Sequence, residues 1–284
     1  MMLAALLDQL RPTLKTYAYN ICGSLAEAED VVQDVLLKFL ELDQRNIANV
    51  KAYLIRMVIN HAINQKKKLK KAALNYQGEW LPEPVATERA DTGINRRELL
   101  SYSMMVLLEK LNPRQRAVFI LKEAFDYEHT EIADLLAIKP ELSRQLLTRA
   151  KKNIGDPKQL QGSPVPASFL NQYLNVLQSG DMQRLENLLN EDIVSVSDGG
   201  GKAKAAIKPV YGKKSVAALL LGLYAKFYET SVVKEGYINQ EPALFYYVAG
   251  RLVTCITFAF TAGLISRTFI IRNPDKLRDL NRFH

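Results

Sequence analysis

The sequence predicts a multidomain chain in which two all-α domains precede an α+β domain. Apolar residues recur at helical spacing through residues 1–42, 51–71 and 96–154. Residues 155–167 are rich in Gly and Pro, which is typical of a linker. After this linker, residues 231–272 contain four runs of Val, Ile, Tyr, Phe and Thr that favour strands. Helices followed by an antiparallel meander predict a cupped α+β domain.

Composition narrows the class of protein. The 284 residues are 48% hydrophobic and 24% charged, so the chain can build folded cores and is not disordered. The net charge of +8 favours a polyanionic partner, either nucleic acid or an anionic membrane surface. The most apolar run, Leu252–Ser266, is too short to span a bilayer. We therefore expect no membrane partner, and, without a signal peptide pattern, a cytoplasmic protein.

Cysteine and histidine indicate neither a disulfide framework nor a metal site. Cys22 and Cys255 lie in different segments, and the three histidines are scattered. We expect no metal and no cofactor.

The first predicted domain, residues 1–75, begins with helices. Leu3–Leu10 forms one stripe, Pro12 is expected to open a second helix, and Gly23 to end it. Ser24 with Glu27 three residues later is a capping box that starts the helix Ser24–Leu42. Six positions of that helix are predicted to be buried: Ala28, Val31, Val32, Val35, Leu36 and Phe39.

The opposite face of Ser24–Leu42 is acidic, with Leu37 among the carboxylates. Either this face docks on a basic partner helix, or it is a solvated face with an incidental Leu.

Lys51–Lys71 is predicted to be a helix on which Arg56, Asn60 and Asn64 share one stripe. The stripe runs into six residues, KKKLKK, of which five are lysines. Arg and Asn side chains hydrogen-bond bases and Lys holds phosphate, so the pattern favours contact with unstacked bases.

Residues 76–95 are a predicted linker that contains the only Trp of the chain, in the sequence Trp80–Pro84, WLPEP. A Trp beside Pro usually pins an extended segment onto a surface.

The second domain, residues 96–156, ends in a predicted helix-turn-helix. Asn112 with Pro113 starts a helix, Ala137–Lys139 forms the turn, and Pro140 opens the last helix. The apolar back of the last helix is predicted to be Leu142, Leu146, Ala150 and Asn153. Its front carries Glu141, Arg144, Thr148 and Lys151, with Gln145 and Lys152 beside them. The helix either enters a major groove, or belongs to an ordinary basic amphipathic pair.

After a second linker, 157–166, the third domain covers residues 167–284. Residues 168–190 predict a helix pair, and Ile193–Val196 a strand. Lys213–Phe227 is a predicted helix with Ser215 as a cap. The Gly-rich turn Asp198–Lys202 is expected at the surface, in contact with another domain.

The residues of the first half resemble the two DNA-binding domains of extracytoplasmic-function sigma factors, on the strength of Ser24–Leu42 and the helix-turn-helix. Three pentapeptides resemble marks of the subgroup with a fused SnoaL-like domain: Trp80–Pro84 (WLPEP), Asp198–Lys202 (DGGGK) and Asn273–Leu277 (NPDKL). The resemblance implies a sigma region 2, a region-4 helix-turn-helix and a C-terminal SnoaL-like cone.

The resemblance also implies partners and site residues. Core RNA polymerase would contact Asp30, Gln33, Asp34, Leu37 and Lys38. The melted −10 element would contact Lys51, Arg56, Asn60, Asn64, Lys66 and Lys67, with the loop Asp43–Val50. The −35 element of promoter DNA would contact Glu141, Arg144, Gln145, Thr148 and Lys151. Interdomain regulatory residues would be Trp80, Pro82, Glu83, Asp198, Gly199, Gly200, Lys202, Asn273, Pro274, Asp275 and Lys276, which join the C-terminal domain to the region-2 domain and the linker.

Two positions depart from the family pattern. Ala137 stands in the turn where Gly is common, and Glu128 stands where the first helix usually has a Ser cap. An Ala in a left-handed turn costs about 1 kcal/mol, which a docked domain tolerates.

Three classes of function therefore remain open. The first is a sigma factor regulated in cis by its C-terminal domain, without catalytic residues. The second is a helix-turn-helix regulator with a ligand-sensing cone. The third is a small-molecule enzyme fused to a DNA-binding domain, with Tyr224, Tyr228, Tyr237, Tyr246 and Tyr247 as candidate pocket residues.

Overall fold

The computed structural model describes residues 2–43, 45, 47–87, 93–155 and 168–281. They form two compact units. The helical unit combines Met1–Leu74, Arg89–Leu100 and Met104–Asp156, and the cone unit combines Asn75–Glu88, Ser101–Ser103 and Pro157–His284. Most of the first predicted linker therefore belongs with the C-terminal domain. The second, 157–166, lies outside the described residues.

Seven described α-helices lie wholly or mostly in the helical unit, with 3₁₀ turns at Ala73–Asn75 and Leu108–Lys110. The helices are α1 (Met2–Cys22), α2 (Leu25–Glu41), α3 (Val50–Ala72), α4 (Tyr102–Leu107), α5 (Pro113–Glu123), α6 (His129–Leu136) and α7 (Pro140–Ile154). Local signals set most of these bounds. Ser24 caps α2 by accepting from the amide of Glu27, and Asn112 with Gln115 closes a capping box on α5.

Two predictions for this unit are wrong. Pro12 does not start a new helix but lies inside α1, where it removes a single backbone donor without ending the helix. The stretch from Arg96 is not helical until Tyr102, because a turn closed by Glu98 N and Asn95 O precedes α4. The six predicted core positions of α2 are the buried ones, which confirms its register.

The cone unit is a curved sheet covered by helices. Its elements are α8 (Phe169–Ser179), α9 (Met182–Leu188), β1 (Leu189–Asp198), β2 (Val210–Tyr211), α10 (Lys213–Leu223), β3 (Val232–Ile238), β4 (Glu241–Val248), β5 (Arg251–Thr261), β6 (Leu264–Ile271) and α11 (Pro274–Asn281). Residues Tyr224–Tyr228 extend α10 as one π-helical turn. The strand order is β2-β1-β6-β5-β4-β3.

The predicted meander β3 to β6 is antiparallel throughout, as expected. Two-residue turns with positive φ at both positions join its strands, for example Ala249 and Gly250 at 48° and 75°. The sequence did not indicate that β1 pairs parallel to β6, since parallel pairing depends on a distant partner. The expected cap Ser215 is also wrong, because α10 begins at Lys213 after Gly212.

Aromatic side chains fill the space between the sheet and its helices. The rings of Tyr173 and Phe258 meet edge to face at 4.9 Å, and those of Phe169 and Phe260 at 4.8 Å. The hydroxyl of Tyr228 bonds that of Thr254 at 2.7 Å. Phe169, Tyr173, Tyr228, Phe258 and Phe260 belong to one buried core.

Candidate functional site

The second helix of the helix-turn-helix, α7, presents a polar front. Its buried back is Ser143, Leu146, Leu147, Ala150 and Ile154, and its exposed front is Glu141, Arg144, Gln145, Thr148, Arg149, Lys151 and Lys152. All five residues predicted to face the −35 element are exposed. Asn153, predicted on the back, is exposed and Ile154 takes its place, because the four-residue spacing of the buried Leu146 and Ala150 continues to Ile154.

The turn before α7 has the geometry that a left-handed position requires. Ala137 has φ 50° and ψ 52°, where Gly is common in the family that the sequence resembles. Glu128 makes a capping box with Glu131 at the start of α6, so it replaces the usual Ser. A hydrogen bond of 2.8 Å between His129 Nδ1 and Ser143 Oγ ties α6 to α7.

The acidic face of α2 is exposed at every residue assigned to a polymerase contact. Leu37 is 55% exposed and Leu40, which sequence reasoning did not single out, is 54% exposed. The carboxylate of Asp34 lies 3.4 Å from the ring of His61. Two exposed leucines among carboxylates form a surface that suits a basic, partly apolar helix.

The residues of α3 that were predicted to contact the −10 element differ in their exposure. Lys51, Arg56, Asn64 and Lys67 are exposed. Asn60 is half-buried and donates to the carbonyl of Leu135 on α6 at 2.8 Å. Part of the stripe therefore contacts the helix-turn-helix instead of solvent.

Lys66 departs furthest from its predicted place. It is 1% exposed, and its ammonium bonds both carboxylate oxygens of Glu109 at 2.8 Å. Arg116, which is 0% exposed, binds the same carboxylate and the carbonyl of Asn20. Lys66 therefore lies in a buried ion-pair cluster, where it does not reach a phosphate. No residue near Lys66 in sequence indicates this position, since Glu109 is 43 positions away.

The cluster Lys66, Glu109 and Arg116 has a defined charge state. Burial disfavours ionisation of Glu109, but the two neighbouring cations outweigh it and hold its pKa below the usual range. Burial, together with Arg116, lowers the pKa of Lys66 to about 8. We take the carboxylate as ionised, since two cations share it.

In the cone unit, Asp198 at the end of β1 is 0% exposed. It is the centre of a cluster that we call the linker site, formed by Asp198 and Lys276 with Tyr76, Trp80 and Leu81. Its carboxylate accepts from Tyr76 Oη at 2.6 Å, from the amide of Leu81 at 2.9 Å and from Lys276 Nζ at 2.6 Å. The expectation that Asp198 lies in a surface loop is therefore wrong. It is a buried carboxylate that joins residues 76–81 to β1 and α11.

The linker segment lies along the cone unit. The Lys276 ammonium also donates to the carbonyl of Leu81 and lies 4.1 Å from the centre of the Trp80 ring, a cation–π contact. Further along, Asn239 accepts from the amide of Val85 at 3.0 Å. Pro82 and Glu83 are both buried.

The glycines of DGGGK allow this close approach. A Cβ on Gly200 would lie 2.2 Å from Asn273 Nδ2 and 3.0 Å from Tyr76 Oη, and one on Gly201 would lie 2.7 Å from Gln77 Oε1. Both glycines have positive φ. The motif therefore brings its backbone against the linker segment.

Lys202 and Asp275 were expected to contact the linker or the region-2 domain. They pair with each other at 2.5 Å, and each side chain is about half exposed, at 56% and 48%. Asn273 serves the site directly, since its amide donates to Tyr76 Oη at 2.8 Å. Pro274 opens α11, which carries Lys276.

No helix of the described ranges is both long and apolar enough to cross a bilayer. Among those residues, no three His, Cys, Asp or Glu side chains are grouped to hold a metal ion. Of the tyrosines proposed for a cone pocket, Tyr237 is 44% exposed. Tyr228 and Tyr246 are buried, and the centroids of their rings lie 4.3 Å apart.

Comparison with known proteins defines the class to which this fold and these surfaces belong. Residues 6–72 match the family model for Sigma-70 region 2, and residues 102–154 match that for Sigma-70 region 4. The chain is 31% identical over 227 residues to the ECF RNA polymerase sigma factor SigJ of Mycobacterium tuberculosis, covering 78% of this chain and 72% of SigJ. It is 22% identical over 280 residues to a probable ECF sigma factor, SigI, of the same organism, covering 95% and 93%.

The crystal structure of M. tuberculosis SigJ superposes with a TM-score of 0.78 at 26% identity, covering 97% of this chain and 98% of that one. The chain therefore belongs to the extracytoplasmic-function sigma factors of RNA polymerase. It is of the type with a C-terminal SnoaL-like domain, and the cone unit is that domain.

Proposed function

We propose that this sigma factor initiates transcription at its own promoters and that its SnoaL-like domain regulates it in cis. In this proposal the face of α2 with Asp30, Gln33, Asp34, Leu37 and Lys38 binds core polymerase. The exposure of all five residues supports the assignment. Because polymerase and promoter are cytoplasmic, we place the protein in the cytoplasm. We assign it no catalytic reaction.

The front of α7 is the proposed −35 contact. The Arg144 guanidinium and the Gln145 amide have the donors and acceptors that pair with base edges in a major groove, and Lys151 suits a phosphate. Arg149, also exposed, joins this set. Glu141, at the start of α7, lies 3.6 Å from Arg144 and so orients its guanidinium.

The −10 contact requires a change within the helical unit. Lys51, Arg56, Asn64 and Lys67 are exposed for this role. Asn60 and Lys66 are engaged by Leu135 and Glu109, and both of these belong to region 4. We propose that the two regions separate when the factor engages a promoter, which releases these side chains.

The observation that carries cis regulation is the linker site. Asp198 and Lys276 of the SnoaL-like domain bind Tyr76, Trp80 and Leu81, which connect region 2 to region 4. A domain that holds the connection constrains how far the two regions can separate. The SnoaL-like domain thereby sets the fraction of molecules that can engage both promoter elements.

Run-off transcription with bacterial core polymerase tests the sigma function. The template is the promoter of the chain's own gene neighbourhood. We expect a promoter-specific transcript from the full chain, and a loss of about 5- to 100-fold in promoter affinity for Arg144→Ala. Lys214→Ala, on α10, removes the same charge and serves as the matched control.

A chain that ends after Gly162 lacks the SnoaL-like domain. The amount of its transcript, relative to that of the full chain, shows whether this domain raises or lowers transcription. If neither form yields a transcript or binds core polymerase, and the full chain binds duplex DNA alone, the sigma function is wrong. The protein would then be a helix-turn-helix regulator with a sensing cone.

A further inference from the structure

The first helix of region 4 belongs to both compact units. The region-4 match begins at residue 102, and α4 spans Tyr102–Leu107. Residues Ser101–Ser103 group with the cone unit, whereas the chain from Met104 groups with the helical unit. The first turn of region 4 is therefore built into the SnoaL-like domain.

Tyr102 anchors this turn. Its side chain is 0% exposed, and its hydroxyl donates to the carbonyl of Pro82 at 2.7 Å. Its ring meets that of Phe269 on β6 edge to face, with centroids 5.5 Å apart. The turn thus contacts both the WLPEP segment and the sheet.

Glu241, the first residue of β4, holds the same turn through its carboxylate. One oxygen accepts from the Ser103 amide at 2.9 Å and the other from the Ser103 hydroxyl. Glu241 is 8% exposed, and none of the ion pairs among the described residues includes it. Burial raises its pKa to about 7, although hydrogen bonds from Ser103 and Ser101 oppose this.

The described residues that hydrogen-bond this carboxylate are neutral. From α4 it faces the amide and hydroxyl of Ser103, and from the residue before α4 it faces the hydroxyl of Ser101. In the turn that leads to β4, the Asn239 side chain bonds Val85. On β5, the Thr257 hydroxyl bonds the carbonyl of Pro242. No charged side chain among these offsets the burial of the charge.

We propose that Glu241 is a proton-sensitive joint, which keeps the first turn of region 4 on the SnoaL-like domain when its carboxyl is neutral and releases it more readily when ionised. The reason is solvation. When the turn detaches, the carboxylate reaches water, and its charge is no longer penalised.

The direction with pH follows from linkage. The closed joint holds the proton with a pKa near 7, and the open joint has the ordinary value near 4.5. The closed form is fully favoured below about pH 4.5, and its advantage is lost as the pH rises through about 7. Opening should therefore become easier by about tenfold or more between pH 5.5 and pH 8.

Amide hydrogen exchange in the full chain, resolved by NMR, tests the joint without polymerase. The Ser103 amide donates to Glu241, so its protection factor, corrected for the intrinsic pH dependence of exchange, reports opening. We expect that factor to fall by about tenfold or more from pH 5.5 to pH 8. The Gln115 amide, which donates to the neutral side chain of Asn112 at 2.9 Å, is the internal control and should not change.

The variant Glu241→Gln keeps the shape and an acceptor but cannot titrate. We expect the protection of Ser103 in this variant to be independent of pH. The proposal is contradicted if the wild-type protection factor of Ser103 changes with pH no more than that of Gln115. It is also contradicted if the protection factor of Ser103 still falls between pH 5.5 and pH 8 in Glu241→Gln. Because the Ser103 hydroxyl bond opposes the rise in the pKa of Glu241, Ser103→Ala, which removes the hydroxyl but keeps the amide bond, should strengthen the pH dependence.

The consequence for transcription rests on the proposed cis regulation. The ratio of wild-type to Glu241→Gln transcript is expected to change between pH 6.5 and pH 8, and use of a ratio cancels the pH dependence of polymerase itself. If exchange shows the joint and this ratio is flat, the coupling of the joint to transcription is wrong. The linker site is tested separately, by variants of Lys276.

Discussion

The helical unit and the cone unit each bury carboxylates, and they neutralise them to different extents. Glu109 shares its charge with two buried cations, Lys66 and Arg116. Asp198 has one, Lys276, and completes its shell with a tyrosine hydroxyl and a backbone amide. Glu241 accepts hydrogen bonds from Ser103 and Ser101, and it has no ion pair in the described part of the chain.

This series indicates where the molecule responds to mutation and where it responds to pH. A carboxylate between two cations stays ionised across the physiological range, so its loss costs stability at any such pH. A buried carboxylate without a cation gains or loses a proton near neutrality, so a change of pH alone alters the stability that it contributes. The predictions below test this difference.

The largest effect is expected for Glu109→Gln. It leaves Lys66 and Arg116, which are 1% and 0% exposed, without their shared carboxylate, and should destabilise the helical unit by about 3–5 kcal/mol. Urea unfolding followed by circular dichroism measures this. The control is Glu123→Gln, because Glu123 pairs with Lys151 at the surface and its loss should cost about 0–1 kcal/mol. Equal costs for the two variants would contradict the account of the cluster.

Lys276→Met should loosen the linker site and cost about 3 kcal/mol, since Asp198 would stay buried without its cation. Trp80 is the only tryptophan of the chain, and its ring loses the ammonium 4.1 Å away. Its fluorescence therefore reports whether residues 76–81 stay docked, and we expect a red shift toward solvent. Lys202→Met, which breaks an exposed pair, should leave the spectrum unchanged. Identical spectra for Lys276→Met and wild type would show that the pair does not hold the segment.

Glu241→Gln should alter the pH dependence of stability more than its value at low pH. The folded pKa of about 7 lies above the ordinary 4.5, so wild-type stability from this group is present below about pH 4.5 and lost as pH rises through 7. Between pH 5.5 and pH 8 the wild type should lose on the order of 2 kcal/mol that the variant does not lose. Thermal unfolding of both chains at several pH values measures the difference. If the stabilities of the two chains change in parallel with pH, Glu241 does not titrate near neutrality.

The smallest effect concerns the backbone and leaves the charges intact. Ala137 has φ 50°, so Ala137→Gly should relieve the left-handed strain and stabilise the helical unit by up to about 1 kcal/mol. Ala133→Gly, inside α6, should destabilise by about 1 kcal/mol. Opposite signs in the same unfolding assay would support the turn geometry. If both variants destabilise, Ala137 is not strained.

Elements controlled by neighbours in sequence were predictable. The cap at Ser24, the capping box at Asn112 and the six buried positions of α2 all follow from residues within a few positions of one another. So does the helix-turn-helix, whose left-handed turn falls at Ala137. Pro12 was misjudged, because packing along α1 outweighs the loss of one backbone donor.

Features that depend on distant partners were not predictable. Lys66 resembles the lysines around it in sequence, and only Glu109 and Arg116 make it a buried ion-pair residue. The surroundings of Asp198 also come from residues 117 and 78 positions away. The pentapeptides indicated which segments mattered, but the pairing of Asp198 with Lys276, and of Lys202 with Asp275, required the structure.

The measurement that tests the central claim most directly is run-off transcription with core polymerase, comparing the full chain with Lys276→Met and Lys202→Met. The account predicts a promoter-specific transcript whose amount changes several-fold with Lys276→Met. It predicts a change of no more than about twofold for Lys202→Met, since an exposed ion pair contributes little. A transcript that is the same for all three chains would contradict regulation through the linker site.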